Sequence, residues 1–573
     1  MHTMTGIQIC HDTRGMNRPH FDIPPMKTNH ITRCLLILIS TCIQLITSAQ
    51  TFQWSNRIGS DLGDYGRSGV CDEEGNFYYA GIFEGLYCYF QTDTLVRHGI
   101  NDLFLVKYGP SGNELWVRQI GGENEWLEES IAVYYDPVSK SIFIAGDFSG
   151  TVSFGSCTLT ASGGLDIFLA KYDLKGNCKW AKKAGGESDD ECYRLAFDNP
   201  GNLYMCGTTL SSSFNGFIIQ KGGFLAKFDA EGNCLWAKNK IAWAPYYNSQ
   251  IQLGGLKVFN SDIFLSGCTQ VDDTIRIDSL VIAHKGLYSS LVCCFDSTGT
   301  AKWIREGISR LTETISDIDL DKHGNIFHTG NFVDSIKFNG NVLISGHNHR
   351  EMFLVKYDKT GTVKWIEQSN SSYYSDGYNL AAGSNGTVFI TGDYYGLTQF
   401  GNYAVGGKTG RNMFLAGYDS LGTCLGAYHF ESGYGTGVAL DSEGNLFFTF
   451  LFNPSTSLGS SSYTSYGGTD IILAKCSAIT GIGGPEPGEE ERLMIYANPT
   501  TGKCTVTLPA ALQHEPDLVL RVFDSGGRQV GEYLLDQSAG KIKLNVEALA
   551  QGIYQVVVSG GGKVYSGKVV FKK

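Results

Sequence analysis

DIFLAKYDLKGNCKW, residues 166–180, decides how the rest of the chain is read. Phe168, Ala170 and Tyr172 alternate with their neighbours, so one face of a strand meets a core. Asp173-Leu174-Lys175-Gly176 then reverses the chain, the glycine supplying the positive φ of a tight turn, and a return strand carries Trp180. The same hairpin recurs as DLFLVKYGPSGNELW (102–116), FLAKFDAEGNCLW (224–236), LVCCFDSTGTAKW (291–303) and FLVKYDKTGTVKW (353–365), with a weaker copy, FLAGYDSLGTCLG, at 414–426. Trp54, Trp116, Trp180, Trp236, Trp303 and Trp365 are spaced by 62, 64, 56, 67 and 62 residues, enough for four strands per repeat.

A second hairpin element alternates with the first: DEEGNFYYAG (72–81), DNPGNLYMCG (198–207), DKHGNIFHTG (321–330), GSNGTVFITG (383–392) and DSEGNLFFTF (441–450), with degenerate forms at 139–146 and 260–267. Two hairpins per repeat predict a four-stranded antiparallel sheet, and a regular array of such sheets predicts a β-propeller. Seven copies of each element, the last being DIILAKC (470–476), predict seven blades. The array begins with the closing half of a hairpin at Trp54 and ends with the opening half of one. Pairing Gln53 to Ile58 beside Ile471 to Lys475 would complete one blade, close the ring and remove the exposed edges of an open array.

Composition agrees with an all-β chain. It has 72 glycines and 62 Tyr plus Phe, while charged residues make up only 18%. At 573 residues it is long enough for more than one core. The net charge of -12 argues against a nucleic-acid surface, which needs clustered Lys and Arg. Near the N-terminus, Lys27 and Arg33 precede an apolar run, Leu35 to Ile46, and the small residues Thr47-Ser48-Ala49; this reads as a signal peptide with a preferred start at Met26 and cleavage after Ala49. That run is too short to span a membrane and no other segment approaches the needed length, so no transmembrane segment is expected in the mature chain. Thirteen cysteines follow Ala49 without a CxxC pair, which indicates neither a zinc site nor a disulfide framework.

The array, 50–478, resembles the secreted β-propeller repeat proteins of Bacteroidota-type bacteria, with their D-x-F-L-x-K-Y-D-x-x-G and D-x-x-G-N-x-Y-x-x-G signatures. A linker rich in Gly, Pro and Glu follows at 479–491. Beyond it, 492–573 reads as seven short strands, the pattern of an Ig-like β-sandwich. This unit resembles the C-terminal sorting domain of the type IX (Por) secretion system through Asn498-Pro499-Thr500 with Gly502, VFDSGGRQV with Asp524 and Gly527, and LAQGIYQVVV with Gly552 and Tyr554. The resemblance implies passage through the periplasm, recognition by the type IX machinery, and release or attachment at the cell surface.

No catalytic constellation emerges, and no cofactor is expected. Lys107, Lys171, Lys227, Lys356 and Lys475 share one repeat position, where a lysine stem covers apolar strand surface. Glu125, Glu128, Asp189, Asp190, Glu191 and Asp376 follow the repeat tryptophans and read as solvated turn residues. The alternating carboxylates of DIDLDKHG (317–324) leave calcium as the one metal worth testing, although the spacing is not that of an EF-hand. Trp126, Trp243, Tyr246 and Tyr247 fall in loops outside the repeat positions and are the candidate ligand-binding residues, for a glycan or a surface protein. The expected function is a secreted or cell-surface binding or structural module. The alternative is a polysaccharide hydrolase or lyase working through rim carboxylates.

Overall fold

A computed structural model describes residues 52–571 apart from 124–126, 128–130, 242–250, 270–274, 283–287, 312–316, 346–348, 407–409, 477–492, 497–499, 509–511, 513–517, 524–528, 535–540, 551 and 561–562. The described residues are strands and turns, with no α-helix among them.

Among the described residues, the strands up to Cys476 pair into seven four-stranded antiparallel units, innermost strand first. The innermost strands are Asp64–Cys71, Ala132–Asp136, Asp190–Phe197, Ile251–Phe259, Asp317–Leu320, Tyr374–Ala382 and Gly433–Leu440. Each unit adds a small outer hairpin, such as Thr151–Ser153 with Thr158–Thr160 in the second. The fourth and fifth units run into one larger sheet, because the long strand Ala301–Leu311 also pairs with the outer part of Ile326–Phe338. The seventh unit is completed from the other end of the array: Phe52–Ile58 pairs antiparallel with Asp470–Cys476, Ser55 opposite Ala474 and Ile58 opposite Ile471.

Both faces of each middle strand are buried, as in Phe77–Phe83 and Asp470–Cys476, because each unit packs against two neighbours. The apolar clusters lie between units. Phe168, Ala170 and Tyr172 join the core shared with the first unit, while Ile167 and Leu169 on the opposite face join the core shared with the third. The adjacent Cys293 and Cys294 likewise enter two different cores. Phe447, Leu451 and Ile471 of the last unit pack with Phe77, Tyr79 and Phe104 of the first, so the seam at the chain ends is as apolar as the others.

The repeat tryptophans are half-buried and fasten each unit to the next. Indole N–H groups donate to turn carbonyls of the following unit: Trp116 to Leu174 at 3.1 Å, Trp365 to Ser420 at 3.1 Å and, across the ring closure, Trp54 to Pro110 at 3.0 Å. Rings of this set lie on the turn glycines. A Cβ on Gly232 would come within 2.5 Å of Trp180, and one on Gly112 within 2.4 Å of Trp54. Each glycine is thus required twice, by φ values of +76 and +82 and by the neighbouring indole. The same rule explains the weak copy at 414–426, where Gly426 replaces Trp. The next unit is the one joined from two chain ends, so among the described residues no Asp-x-x-Gly turn links its last two strands to face position 426.

Beyond the array, the described strands form two antiparallel sheets. Met494–Tyr496, Lys503–Thr507 and Lys541–Asn545 make one; Val519–Phe523, Gln529–Leu534, Gly552–Gly560 and Lys563–Phe571 make the other. They share a core of Val506, Leu520, Leu544, Val556 and Phe571.

Candidate functional site

The two ends of the ring carry carboxylates in different settings. At the turn end, Asp173 accepts the backbone N–H of Lys175 and Asn177 at 3.0 and 2.9 Å, and Asn177 Nδ2 donates to it at 3.0 Å. These bonds and Lys179 hold its carboxyl well below the usual range despite some burial. Asp72, Asp198, Asp321 and Asp441 repeat the arrangement. The repeat lysines sit here as packing groups. Lys107, Lys171, Lys227, Lys356 and Lys475 each place Nζ 4.8–5.0 Å over an aromatic ring of the adjacent strand. Lys107, Lys227 and Lys475 also approach the turn aspartates at 3.9, 3.6 and 3.3 Å.

At the opposite end the carboxylates are buried. Asp64, Asp190 and Asp376 stand at or near the start of inner strands, Asp147 and Asp393 near the end of second strands, and Asp102, Asp166, Glu351 and Asp470 at the start of third strands. All are within the protein. This corrects the sequence expectation for Asp190 and Asp376, which are buried strand residues and not solvated turn residues. Burial raises Asp64 to about 8, and Glu351 and Asp470 each to about 7.

Asp376 and Asp393 lie directly opposite one another across Tyr374–Ala382 and Val388–Tyr395. Like charges so placed repel, and groups of the same unit and of the unit before it supply the compensation. Asp376 accepts Asn331 Nδ2 at 2.5 Å and meets Arg350 Nη2 at 3.0 Å. Asp393 takes Arg411 Nε and, at 3.1 Å, the Tyr374 hydroxyl. Tyr378 bridges them, donating to Asp376 at 3.4 Å and accepting from Arg411 Nη2 at 3.0 Å. Burial, and secondly Asp393, hold Asp376 at about 6. The other Asp393 oxygen has no partner among the described residues.

The polar groups that reach solvent here are guanidinium and phenol. The Arg411 and Arg350 side chains are 47% and 32% exposed. Arg411 lies 4.2 Å over Tyr434 and Arg350 4.8 Å over Tyr374. Tyr373, 57% exposed, packs 4.8 Å from Tyr395. A smaller version sits at the ring closure, where Arg57 lies 3.9 Å from Asp470 and 3.7 Å over Tyr466. Asp376, Asp393 and Asp470 thus each orient an arginine that covers a tyrosine. That is suited to stacking and hydrogen bonding with a ligand.

The loop residues singled out in the sequence, Trp126, Trp243, Tyr246 and Tyr247, lie outside the described residues, as do Glu125 and Glu128. In DIDLDKHG, Asp317 and Asp319 accept the N–H groups of Leu380 and Ala382 at 3.2 and 2.8 Å, and Asp321 caps its own turn. Among the described residues no group of three His, Cys, Asp or Glu is placed to hold a metal. His328 is buried, 3.1 Å from Ser290 Oγ, and its pKa is lowered to about 3 by that burial. Sequence reasoning missed Arg350, Arg411 and the Asp376–Asp393 pair. A signal was available in the acid preceding the apolar run of DLFLVKY, DIFLAKY, EMFLVKY and DIILAKC.

In the C-terminal sheets, Gly502 takes φ +149, its N–H donating to Thr500 Oγ1 at 3.2 Å, and a Cβ there would meet Glu547 at 2.3 Å. The buried Tyr554 donates its hydroxyl to Ala550 O at 2.6 Å, and Gly552 opens the same strand. Asn498, Pro499, Asp524 and Gly527 lie outside the described residues.

Comparison with known proteins agrees with both halves of this description. Residues 494–572 match the secretion system C-terminal sorting domain, and residues 179–215 match a β-propeller repeat. The chain is therefore an exported β-propeller protein with a type IX sorting tail, destined for the cell surface or the medium. It is 29% identical over 137 residues to an uncharacterized WD repeat-containing protein of Acanthamoeba polyphaga mimivirus, covering 23% of this chain and 10% of that protein. It is 30% identical over 143 residues to the regulatory protein FlaEY of Caulobacter vibrioides, covering 24% of this chain and 15% of that one. It thus spans only about a tenth and a seventh of these relatives. Among solved structures, a member of the duf4221 family from Bacteroides vulgatus aligns with 75% of this chain and 97% of its own at 11% identity and a TM-score of 0.28, too distant to inform fold or function. No described helix is long and apolar enough to cross a membrane.

Proposed function

We propose that this protein is a surface-displayed binding module, organised as a ring over 50–478, a linker over 479–491 and a sorting unit over 492–573, and that it recognises a surface glycan through the carboxylate-rich end of the ring. The observation that carries this reading is the arrangement of Arg350, Arg411, Tyr373, Tyr374 and Tyr395 around the buried Asp376–Asp393 pair. Aromatic rings stack on sugar faces, and oriented guanidiniums pair with hydroxyl and carboxylate groups. Glycan-array binding by the purified protein, compared with an Arg350→Ala/Arg411→Ala variant, tests it. Binding by the parent that the variant loses supports the proposal; a parent that binds no glycan but captures a surface protein would replace it.

Cleavage of a polysaccharide is the second reading, favoured by one feature: Asp376 is held at about 6 opposite Asp393, which pairs with Arg411. It is weaker because Asp376 and Asp393 are 1% and 0% exposed. New reducing ends from an incubated polysaccharide, absent with Asp376→Asn, would establish it.

A further inference from the structure

We propose that Cys157 and Cys178 are joined by a disulfide in the exported protein, pinning the outer hairpin of the second unit to its outermost long strand. Their sulfurs lie 2.9 Å apart, against about 2.05 Å for a sulfur–sulfur bond, so a small closing movement suffices. The backbone around them is already joined, since Ser156 Oγ donates to Cys178 O at 3.2 Å. Both thiols are half-buried, so a soluble oxidant has access. The type IX sorting domain sends the chain to an oxidising space, where such pairs form and persist.

The other units serve as internal controls. In the sixth, the matching outer hairpin reads Phe400-Gly401-Asn402-Tyr403 against Phe154-Gly155-Ser156-Cys157, and its tip lies on Cys424. Tyr403 stands where the second unit has Cys157, and Phe217 takes that place beside Cys234 in the third. An aromatic ring covers the repeat cysteine in those two units; in the second a thiol does.

The chemistry is thiol–disulfide exchange with a periplasmic protein that carries an oxidised dithiol. One cysteine loses its proton and attacks the donor's disulfide, giving a mixed disulfide and releasing one donor thiolate. The second cysteine, deprotonated in turn, attacks the mixed bond and expels the other donor thiolate. The two cysteines give up two protons and two electrons, and the donor leaves as a dithiol.

The test is a non-reducing peptide map of the full chain recovered from the cell surface or medium, with free thiols alkylated beforehand. The expected result is one linked species joining the Cys157 and Cys178 peptides, lighter than their sum by two hydrogen atoms, while the Cys424 peptide is alkylated. Reduction should lower the melting temperature of the parent by about 5 °C and leave a Cys157→Ser/Cys178→Ser variant unmoved. Full alkylation at both positions before reduction, or linkage of either to another cysteine, would overturn the proposal.

Discussion

The two ends of the ring use aspartate in opposite ways. At the turn end the carboxylates, part-exposed like Asp173 or buried like Asp72 and Asp321, accept several N–H groups in an arrangement that repeats from unit to unit, as Asp173 shows with Lys175, Asn177 and Lys179. At the other end they are buried, and several are pushed above their ordinary range, with partners that change between units: Ser60 for Asp64, Thr209 and Ser211 for Asp190, Arg350 and Asn331 for Asp376. Repetition marks what every unit needs in order to fold. Variation over a common buried acid marks where the surface has been differentiated.

Export should respond most, because it depends on neither end of the ring. A chain ending at Cys476 should fold with the melting temperature of the parent yet accumulate in the periplasm, while residues 479–573 fused to an unrelated exported protein should carry it to the surface. Fractionation checks both, and normal surface levels of the truncated chain would remove the sorting assignment.

Next in size is the turn end. Trp180→Ala should cost about 3 kcal/mol, the low end for emptying a large aromatic site, because Trp180 is half-buried between units and not sealed in a core. Gly232→Ala should cost about 1 kcal/mol or more, since it must both hold φ +76 and clear Trp180. If urea melts place Gly232→Ala level with the parent, the fastening of turn to indole is wrong.

Smaller, and confined to the other end, is a dependence on pH. Asp64 titrates at about 8 in the fold, above the ordinary aspartate value of 3.8. The folded protein therefore holds a proton that the unfolded chain releases. This contribution is fully present below about pH 4 and is lost as pH rises toward 8. Asp64→Asn, which can still accept the Ser60 N–H, should lose less stability than the parent between pH 5 and 8. Parallel pH profiles for the two proteins would contradict the assignment.

The ring was legible in the sequence because its rules are local. Strand alternation, the Asp-x-x-Gly turn and the half-hairpins at Trp54 and Ile471 are short patterns, and the pairing of Ser55 with Ala474 follows from them. The lysines were readable for the same reason: a stem nine residues before each tryptophan lands on its neighbour's ring. The rim site was not. Asp376 faces Asp393 only after the irregularity between Gly377 and Asn379 shifts the register, and Arg350, Asn331 and Tyr434 arrive from adjacent units. Asp190 and Asp376 misled because a carboxylate amid Ser, Gly and Asp reads as solvated, and only the packing of successive units buries it.

The division of labour between the two ends is tested most directly by capture of surface material on immobilised protein. Three proteins matched for melting temperature would be compared beside a protein-free blank: the parent, Arg350→Ala/Arg411→Ala at the carboxylate end, and Lys322→Ala/Lys359→Ala at the turn end. Retention of bound glycan by the parent and the lysine variant, with a loss of about tenfold or more in the arginine variant, is the expected result. Equal retention by both variants, or loss in the lysine variant alone, would contradict it.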